Sequence, residues 1–360
     1  MKFVVLNAYT EKNLGDDLFI RHVVNRYSNT NFYILNNSKY KYVFNDLKNL
    51  RFLNLDTNVL LSFCSKIYSS LIPNIKGLIE KKANAVVYIG GSLFIEYENW
   101  REISNWWDFQ ASNHKFYILG SNFGPYNSED FKSRYAEIFS KCQDVCVRDL
   151  YSYRLFQDNN KVRYAPDILL SYKMPKVKLK KQIFISVINC ETKDEGSNKL
   201  SKFKNDYITL LLKIINHYLD LEYKIVLSSF CEKEGDNRTI ELLINKISKT
   251  ENIEVLNYDG SNYNDILKSI SASSYVIGSR FHSVILALAA KRPVLPIIYS
   301  NKTTNVLDDM NFKGNVIDIR NIDKDISFEE IDYNRIITQN MEPYIKKAEE
   351  HFLVLEKKLK

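Results

Sequence analysis

The stretch "IGSRFHSVILALAAKRPVLPI", residues 277–297, decides the fold class. It ends an apolar strand at Gly278, continues as an uninterrupted apolar helix, and enters a second apolar strand after Pro293. Apolar strands joined by helices are typical of parallel sheets that are covered on both faces. The order of strand, glycine-bearing turn and helix recurs, for example at "AVVYIGGS" (85–92). We therefore predict an α/β protein with two Rossmann-like domains and an interdomain cleft.

The chain length and one break in this pattern predict the domain boundaries. A chain of 360 residues exceeds one ordinary hydrophobic core, which favours two domains. The Pro- and Lys-rich segment "SYKMPKVKLKKQ" (171–182) interrupts the pattern and is the predicted linker. We predict an N-terminal domain over residues 1–172, a C-terminal domain over 183–325 whose first strand is "IFISVIN" (183–189), and a helical tail over 326–360.

The composition narrows the class of protein. Hydrophobic residues make up 45% of the chain and charged residues 26%, which is typical of a soluble globular protein. The formal net charge of +7 indicates a Lys-rich surface, with affinity for small anions or anionic lipid as a second interpretation. The basic residues are dispersed and form no known nucleic-acid-binding signature, so we expect no nucleic acid partner.

The cysteines and the apolar runs predict the compartment. The five cysteines are scattered, which fits a reducing environment, and we expect Cys142 and Cys146 to pack in a core rather than bind zinc. No 18-residue window is apolar throughout, and the opening "FVVLNAYT" is too short for a signal peptide. We expect a cytoplasmic protein without a metal site, and peripheral contact with the inner face of the membrane stays open.

A cation and a titratable ring follow the strand that ends at Gly278. Ser279 is the predicted cap of the next helix, which would place Arg280 and His282 in its first turn. Free backbone N–H groups and the helix dipole attract anions there, and a guanidinium would complete an anion clamp. A bound phosphate would favour protonated His282, making it a general acid. A histidine that only packs or caps is the alternative.

The turn after the first predicted strand carries polar groups suited to a sugar. In "KNLGDD" (12–17), Gly15 permits a tight turn, while Asn13 and Asp16 can hydrogen-bond hydroxyl groups. A plain turn in which Asp16 or its neighbour caps the following helix explains the same residues.

Three further clusters lie at the ends of predicted strands. In "IGGSLF" (89–94) and "LGSNFGP" (119–125), glycines let the backbone approach a ligand, although neither motif is a dinucleotide-binding fingerprint and turn chemistry is an alternative. Arg148 ends the strand of "VCVRDLYS" and could bind a carboxylate or phosphate, or form a surface ion pair with Asp149. Lys302 lies in a second anion-binding turn or in a surface loop.

The tryptophan-rich segment 94–109 could stack on a sugar or pack as a helix.

Six motifs, in this order, resemble those of the polysaccharide pyruvyl transferase family. They are "NLGDD", "IGGSLF", "LGSNFGP", "VRDLYS", "APDILL" (165–170) and "GSRFHSVILALAAKRPVLPI". The resemblance spans roughly residues 3 to 310. It implies a GT-B-like fold and a phosphoenolpyruvate-dependent transferase. Such enzymes form a cyclic pyruvate ketal on a sugar of a surface polysaccharide or its lipid-linked precursor.

The resemblance also implies roles for individual residues. Arg280 and His282 match the Arg-x-His pair of the phosphoenolpyruvate pocket, and Arg148 matches the basic residue of the Arg-Asp motif. The implied catalytic residues are His282, Arg280 and Arg148. We predict donor binding by Arg280, Arg148, Ser279 and Lys302. We predict acceptor binding by Asn13, Gly15, Asp16, Gly91, Ser92 and Asn122. Asp16 is also a candidate base, and phosphoenolpyruvate is a co-substrate, with no other cofactor expected.

Two other functions stay open. A GT-B glycosyltransferase could use the same anion-binding helix for a nucleotide sugar, with Glu232 or Glu234 binding the ribose. A non-catalytic module could bind a phospho-sugar or polysaccharide. The partners expected for pyruvyl transfer are phosphoenolpyruvate and a sugar acceptor, either polymeric or linked to undecaprenyl diphosphate.

Overall fold

The computed structural model describes residues 2–36, 38–54, 72–193, 199–322 and 340–360. The chain divides into two compact units, which differ in how many segments they combine. The first unit comprises Met1–Glu11, Asp16–Ile168 and Lys347–Lys360. The second unit comprises Lys12–Gly15 and Leu169–Lys346.

Parallel strands form the sheet of the first unit. They are β1 (Phe3–Ala8), β2 (Asn31–Ile34), β3 (Leu50–Phe52), β4 (Ala85–Ile89), β5 (Ser92–Phe94), β6 (Phe116–Phe123), β7 (Asp144–Val147) and β8 (Val162–Tyr164). Their order is β3-β2-β1-β4-β6-β7-β8, and β5 pairs with β6. Helices in the same part of the chain are α1 (Leu14–Arg26), α2 (Ile72–Lys82), α3 (Trp100–Asn113), α4 (Glu129–Lys141) and α5 (Leu150–Leu155).

Strands β6 and β7 of the first sheet are buried on both faces, as is typical of parallel sheets in α/β proteins. All eight residues of β6 are buried, so its side chains pack on both sides of the sheet. Aromatic rings dominate the adjoining core, where Phe94 lies 4.9 Å from Trp107 between ring centroids. Trp100 and Trp107 are buried in this core, so the tryptophan-rich segment packs as a helix.

The second unit repeats the architecture with a six-stranded parallel sheet. Its strands are β9 (Lys180–Ser186), β10 (Lys224–Ser228), β11 (Ile253–Val255), β12 (Ser273–Gly278), β13 (Val294–Ile298) and β14 (Ile317–Asp318). Their order is β11-β10-β9-β12-β13-β14. Its helices are α6 (Lys204–Asp220), α7 (Asp236–Ile244), α8 (Tyr263–Ala272), α9 (Phe281–Ala289), α10 (Asn301–Asp309) and α11 (Glu342–Ala348), whose last two residues belong to the first unit. The last helix of the chain, α12 (Leu353–Leu359), lies in the first unit.

Both sheets contain a point at which the strand order reverses. In the first sheet the chain proceeds outward from β1 to β3 and then returns to add β4 on the other side of β1. In the second sheet it proceeds from β9 to β11 and then adds β12 beside β9. Open α/β sheets bind ligands beyond the carboxyl ends of strands at such points. The residues that follow β4 and β12 are therefore candidates for ligand binding.

Two predicted boundaries are wrong. The first helix begins at Leu14, so Asp16 lies inside its first turn rather than at the cap, and the Asn13 side chain accepts the Gly15 N–H instead. The strand expected over residues 183–189 extends from Lys180 to Ser186, because it pairs with strands on both sides.

The end of the chain packs on the first unit. Arg163 donates hydrogen bonds to the backbone oxygens of Glu350 and His351, at 2.7 Å for His351. His351 is fully buried, and its Nε2 lies 2.8 Å from the oxygen of Pro166. His351 is therefore a core residue of the first unit. Residues 326–339 of the predicted tail lie outside the described part of the chain.

The described residues also bear on the compositional expectations. Cys142 and Cys146 are buried in the first unit, and burial raises the pKa of Cys142 to about 12. Cys64 lies outside the described residues. In the ranges that the structure describes, no helix combines the length and the apolar character needed to cross a bilayer.

Candidate functional site

Arg280 and His282 lie at the reversal point of the second sheet. Gly278, the last residue of β12, pairs with Ser186, the last residue of β9. Helix α9 begins at Phe281, so Arg280 is its extended N-cap residue and His282 lies in its first turn. The strand, the glycine and the helix therefore deliver both side chains to the carboxyl end of the sheet, where ligands bind in this class of fold.

Ser279 does not cap helix α9, so that prediction is wrong. Its backbone N–H donates to the backbone oxygen of Ser186 at 3.1 Å, which continues the pairing of the two strands. Its hydroxyl accepts a hydrogen bond of 2.8 Å from the buried Tyr207. Because Ser279 is buried in this network, its backbone stays with the sheet and the helix starts two residues later.

The guanidinium of Arg280 is bound by carboxylates of the protein. Asp236 accepts hydrogen bonds from Nε, at 2.8 Å, and from Nη2, while Glu234 accepts one from Nη1 at 2.5 Å. Burial alone would lower the pKa of Arg280, but Asp236 and Glu234 outweigh it and raise the pKa. The anion site predicted at Arg280 is thus filled by carboxylates of the protein itself. Glu234 and Asp236 lie 46 and 44 residues before Arg280 in the sequence.

Glu234 lies between two cations. Its carboxylate contacts Nζ of Lys193 as well as Nη1 of Arg280. Burial raises the pKa of Glu234, but the charges of Arg280 and Lys193 outweigh it and bring the pKa down to about 2. Glu234 therefore stays ionised at neutral pH, and its place between two cations suits an anion.

His282 is partly buried and contacts the turn that follows β1. Residues 12–15 belong to the second unit, and Gly15 faces the imidazole. A Cβ placed on Gly15 would lie 1.7 Å from Nδ1 of His282. Gly15, predicted to bind the acceptor, therefore lies against His282, and Asn13 accepts the Gly15 N–H, whereas Asp16 belongs to the first unit.

A second polar cluster lies in the first unit. Arg148 is buried, and its Nη1 and Nη2 lie 3.1 Å from Oδ2 of Asp167 and 2.7 Å from Oδ1 of Asn122. The hydroxyl of Ser92 lies 3.3 Å from the same Asn122 oxygen. Gly91 faces this guanidinium, because a Cβ on Gly91 would lie 2.8 Å from Nη1. Gly91, Ser92 and Asn122 are therefore grouped with Arg148.

The alternative of a surface ion pair between Arg148 and Asp149 is wrong. Arg148 is only 2% exposed, and Asp149 is the N-cap of helix α5, accepting the Ser152 N–H at 2.7 Å. Burial raises the pKa of Asp149, while the hydrogen bonds from Ser152 and the charge of Arg148 oppose that rise. Arg148 thus belongs to the polar cluster, whereas Asp149 caps the helix.

The remaining predicted residues lie elsewhere in their units. Asp16 is partly buried in the first turn of α1. The pKa of Tyr88 is raised by the burial of Tyr88 itself and, to a smaller extent, by the charge of Asp16. Lys302 is partly buried in the first turn of α10, so the predicted loop is a helix.

Sequence reasoning missed three charged residues of these clusters. Asp236 and Lys193 join the Arg280 cluster, and Asp167 joins the Arg148 cluster. Asp167 lies inside the quoted motif "APDILL", which was a usable signal. Asp236 follows a glycine at a helix start, where an acidic residue looks like an ordinary helix cap. Lys193 has no sequence signal that distinguishes it from other lysines.

Sequence comparison relates the chain to a family and to a relative. The profile described as polysaccharide pyruvyl transferase matches residues 13–301. The amylovoran biosynthesis protein AmsJ of Erwinia amylovora is 19% identical over 264 residues. That match covers 67% of this chain and 63% of the relative's length.

Solved structures confirm the fold. The UDP-GlcNAc 2-epimerase of Neisseria meningitidis, bound to UDP-GlcNAc, has a TM-score of 0.61 at 13% identity and covers 99% of both chains. The UDP-GlcNAc 2-epimerase of Methanocaldococcus jannaschii has a TM-score of 0.59 at 14% identity, covering 99% of this chain and 100% of the other. The predicted GT-B-like α/β architecture is thus confirmed. With a family profile matching residues 13–301, this chain belongs to the polysaccharide pyruvyl transferase family.

Proposed function

We propose that this chain transfers a pyruvyl group from phosphoenolpyruvate to two hydroxyls of a sugar, forming a cyclic ketal on a surface polysaccharide or its lipid-linked precursor. Family membership supports a pyruvyl transferase, and the AmsJ relative supports a role in polysaccharide biosynthesis. The observation that carries the proposal is the position of Arg280 and His282 at the reversal point of the second sheet. An anion-binding arginine and a proton-transferring histidine are the groups that this reaction needs there.

His282 is the proposed acid. It would donate a proton to C3 of the donor, and the oxygen of one sugar hydroxyl would bond to C2. The second hydroxyl oxygen would then bond to C2 as the bond from C2 to the phosphate oxygen breaks. One hydroxyl proton returns to His282 and the other leaves with phosphate, so that protons balance. Asp16 stays a candidate for assisting the second hydroxyl.

The place of Glu234 suggests how the donor would bind. Its carboxylate lies between Lys193 and Arg280, as a carboxylate or phosphate of the donor would. We assign one donor anion to this place, with Glu234 displaced from at least one cation. Asp236 would keep the Arg280 guanidinium in position during the exchange. Lys302, in the first turn of α10, is a further proposed donor-binding residue.

The first-unit cluster is the second proposed substrate-binding site. Arg148 combines a guanidinium with the neutral Asn122 amide and the Ser92 hydroxyl, a set that can bind an anion or sugar hydroxyls. The absence of a side chain at Gly91 lets the backbone approach the Arg148 guanidinium closely. Arg148 is accordingly proposed to bind substrate rather than to transfer protons.

Calorimetric titration with phosphoenolpyruvate tests the proposal first. We expect the wild-type chain to bind, and Arg280→Lys to bind on the order of 10- to 100-fold more weakly, because lysine cannot reproduce the forked hydrogen bonds. His282→Gln should bind within a few-fold of wild type. Arg134→Lys, at a partly exposed arginine of α4, is the matched control. Equal affinity of Arg280→Lys and wild type would remove Arg280 from the donor site.

Mass spectrometry then tests the reaction. Galactose-, glucose- and N-acetylmannosamine-type acceptors, free and lipid-linked, are incubated with phosphoenolpyruvate while released phosphate is measured. We expect a product that carries one pyruvate ketal, formed by wild type and not by His282→Gln. Failure to bind phosphoenolpyruvate, together with binding of a nucleotide sugar, would favour the glycosyltransferase alternative.

A further inference from the structure

The turn Lys12–Gly15 is fastened to the segment that follows β10. Both belong to the second unit, although the turn is distant from that segment in sequence. Asn13 forms an antiparallel bridge with Cys231, and the Leu14 N–H donates to the backbone oxygen of Phe230 at 3.1 Å. Nζ of Lys12 lies 2.6 Å from Oε2 of Glu232. Backbone and side-chain contacts on consecutive residues therefore fix the turn in place.

The same segment is connected to Arg280 by one buried carboxylate. Oδ2 of Asp236 accepts the backbone N–H groups of Phe230 and Cys231, each at 3.1 Å, and Nε of Arg280 at 2.8 Å. Asp236 is 0% exposed, so these bonds are shielded from competing water. A continuous set of contacts thus leads from Arg280 through Asp236 to the turn.

Gly15 completes this set by packing against His282. A Cβ on Gly15 would lie 1.7 Å from Nδ1 and 2.4 Å from Cγ of the imidazole, whereas real Cβ contacts essentially never fall below 3.0 Å. The imidazole occupies the space that any other side chain would need. The glycine is thus required here by close approach and leaves the ring little freedom on that side.

We infer that Asn13 and Gly15 are positioning residues for His282. The inference rests on the proposed function in taking His282 as a reacting group, and it assigns the turn a different role from acceptor binding. The turn holds one edge of the imidazole, while Asp236 holds both Arg280 and the segment that carries the turn. The Arg-x-His pair is thereby fixed as a unit, as a proton-transferring group needs for efficient reaction.

Histidine NMR of the full chain tests the inference without any substrate. The chain has five histidines, so ring signals of selectively labelled protein can be resolved, and His282→Gln identifies those of His282. We expect Gly15→Ala to displace the ring-nitrogen signals of His282 and leave the other four histidines unchanged. Gly77→Ala is the matched control, because nothing lies within 4 Å of a Cβ at Gly77. Unchanged His282 signals in folded Gly15→Ala, or equal changes in all five histidines, would overturn the inference.

A second variant protects the test against a Gly15→Ala chain that fails to fold. Asn13→Ala removes the oxygen that accepts the Gly15 N–H at 3.2 Å and adds no atom beside the imidazole. We expect a smaller displacement of the His282 signals, restored to wild type by Asn13→Asp, which keeps an acceptor oxygen. No displacement in Asn13→Ala would contradict the inference. Absence of phosphoenolpyruvate binding by wild type would refute the proposed donor but leave these NMR results valid.

Discussion

Two buried arginines, Arg148 in the first unit and Arg280 in the second, both follow parallel strands but have different partners. Arg148 donates to the carboxylate of Asp167 and to the neutral amide oxygen of Asn122. Arg280 donates to two carboxylates, those of Asp236 and Glu234. An amide oxygen offsets less positive charge than a carboxylate does, so the two guanidiniums differ in how much charge a ligand can use.

The two carboxylates at Arg280 have different roles, because Asp236 holds the side chain in place and Glu234 offsets its charge. Asp236 binds Arg280 through Nε and Nη2 and also accepts two backbone N–H groups, so it holds the side chain and the local backbone. Glu234 instead divides its carboxylate between Arg280 and Lys193 and is partly exposed. We therefore regard Asp236 as the structural partner of Arg280 and Glu234 as the partner that a substrate anion can replace.

Asp236→Asn should have the largest effect on stability. It removes the charge from a fully buried carboxylate that serves Arg280 and two backbone N–H groups. Arg280 keeps the carboxylate of Glu234, but several buried hydrogen bonds to Asp236 weaken together, so we expect a loss of about 3–5 kcal/mol of the free energy of unfolding. Asp167→Asn should cost less, because the bond from Arg148 to Asp167 is 3.1 Å long, against 2.8 Å from Nε of Arg280 to Asp236. Denaturant unfolding followed by circular dichroism measures both losses.

The control for this comparison is a more exposed ion pair. Asp318 binds Arg320 at 2.6 Å in the second unit, and both side chains are partly exposed. Asp318→Asn should therefore cost about 1 kcal/mol or less. If Asp167→Asn destabilised the chain as much as Asp236→Asn, the distinction between the two arginines would be lost.

The sequence predicted two parallel α/β sheets because the strands, turns and helices that form them follow from local patterns. Continuous apolar strands such as β6, and the glycines that follow β4 and β12, can be identified within a short window. Gly15 was predicted to permit a tight turn and Gly91 to let the backbone approach a ligand, and in the structure both face protein side chains, those of His282 and Arg148.

The charge partners could not be predicted from local patterns. Asp236 and Arg280 are 44 residues apart, and helices and strands separate them in the chain. Their pairing depends on the order of β9, β10 and β12, which the sequence pattern does not specify. For the same reason, local patterns did not predict that Gly15 would face His282.

His351→Gln should change the acid sensitivity of the first unit. Burial and the charges of Arg163 and Arg148 lower the pKa of His351 to about 3, against 6.5 for an ordinary histidine. As the pH falls from 7 to 5 the unfolded chain binds a proton that the folded chain does not, so wild type loses about 2 kcal/mol through this group. His351→Gln should lack that loss. Tryptophan fluorescence follows the first unit, because Trp100, Trp106 and Trp107 all lie there.

The second unit should lose stability in a lower pH range. The pKa of Glu234 is about 2, below its ordinary 4.5, so its stabilisation is present above pH 4.5 and is lost as the pH falls towards 2. The difference in the free energy of unfolding between Glu234→Gln and wild type should therefore shrink only below pH 4.5.

His217→Gln, at a partly exposed histidine of α6, is the control for the His351 variant. A wild-type chain whose fluorescence transition is unchanged by His351→Gln between pH 7 and 5 would contradict the assignment.

Glu234→Gln should also strengthen the binding of anions, and this is the smallest of the expected effects. The substitution keeps the size of the side chain but removes the charge that competes for Lys193 and Arg280. It gives Arg280 one carboxylate and one amide oxygen, the combination that surrounds Arg148. We expect the affinity for inorganic phosphate and phosphoenolpyruvate, measured by calorimetry, to rise about tenfold, which corresponds to one charge-assisted hydrogen bond.

Glu232→Gln is the matched control for this last change. Glu232 is an exposed acid two residues away and binds Lys12, so its substitution should alter anion affinity less than about twofold, as expected for a solvent-screened charge. Weaker anion binding by Glu234→Gln would mean that Glu234 holds Lys193 and Arg280 in place. Both carboxylates around Arg280 would then be structural, and the arginine of the first unit would be the better candidate for binding the charged end of the donor.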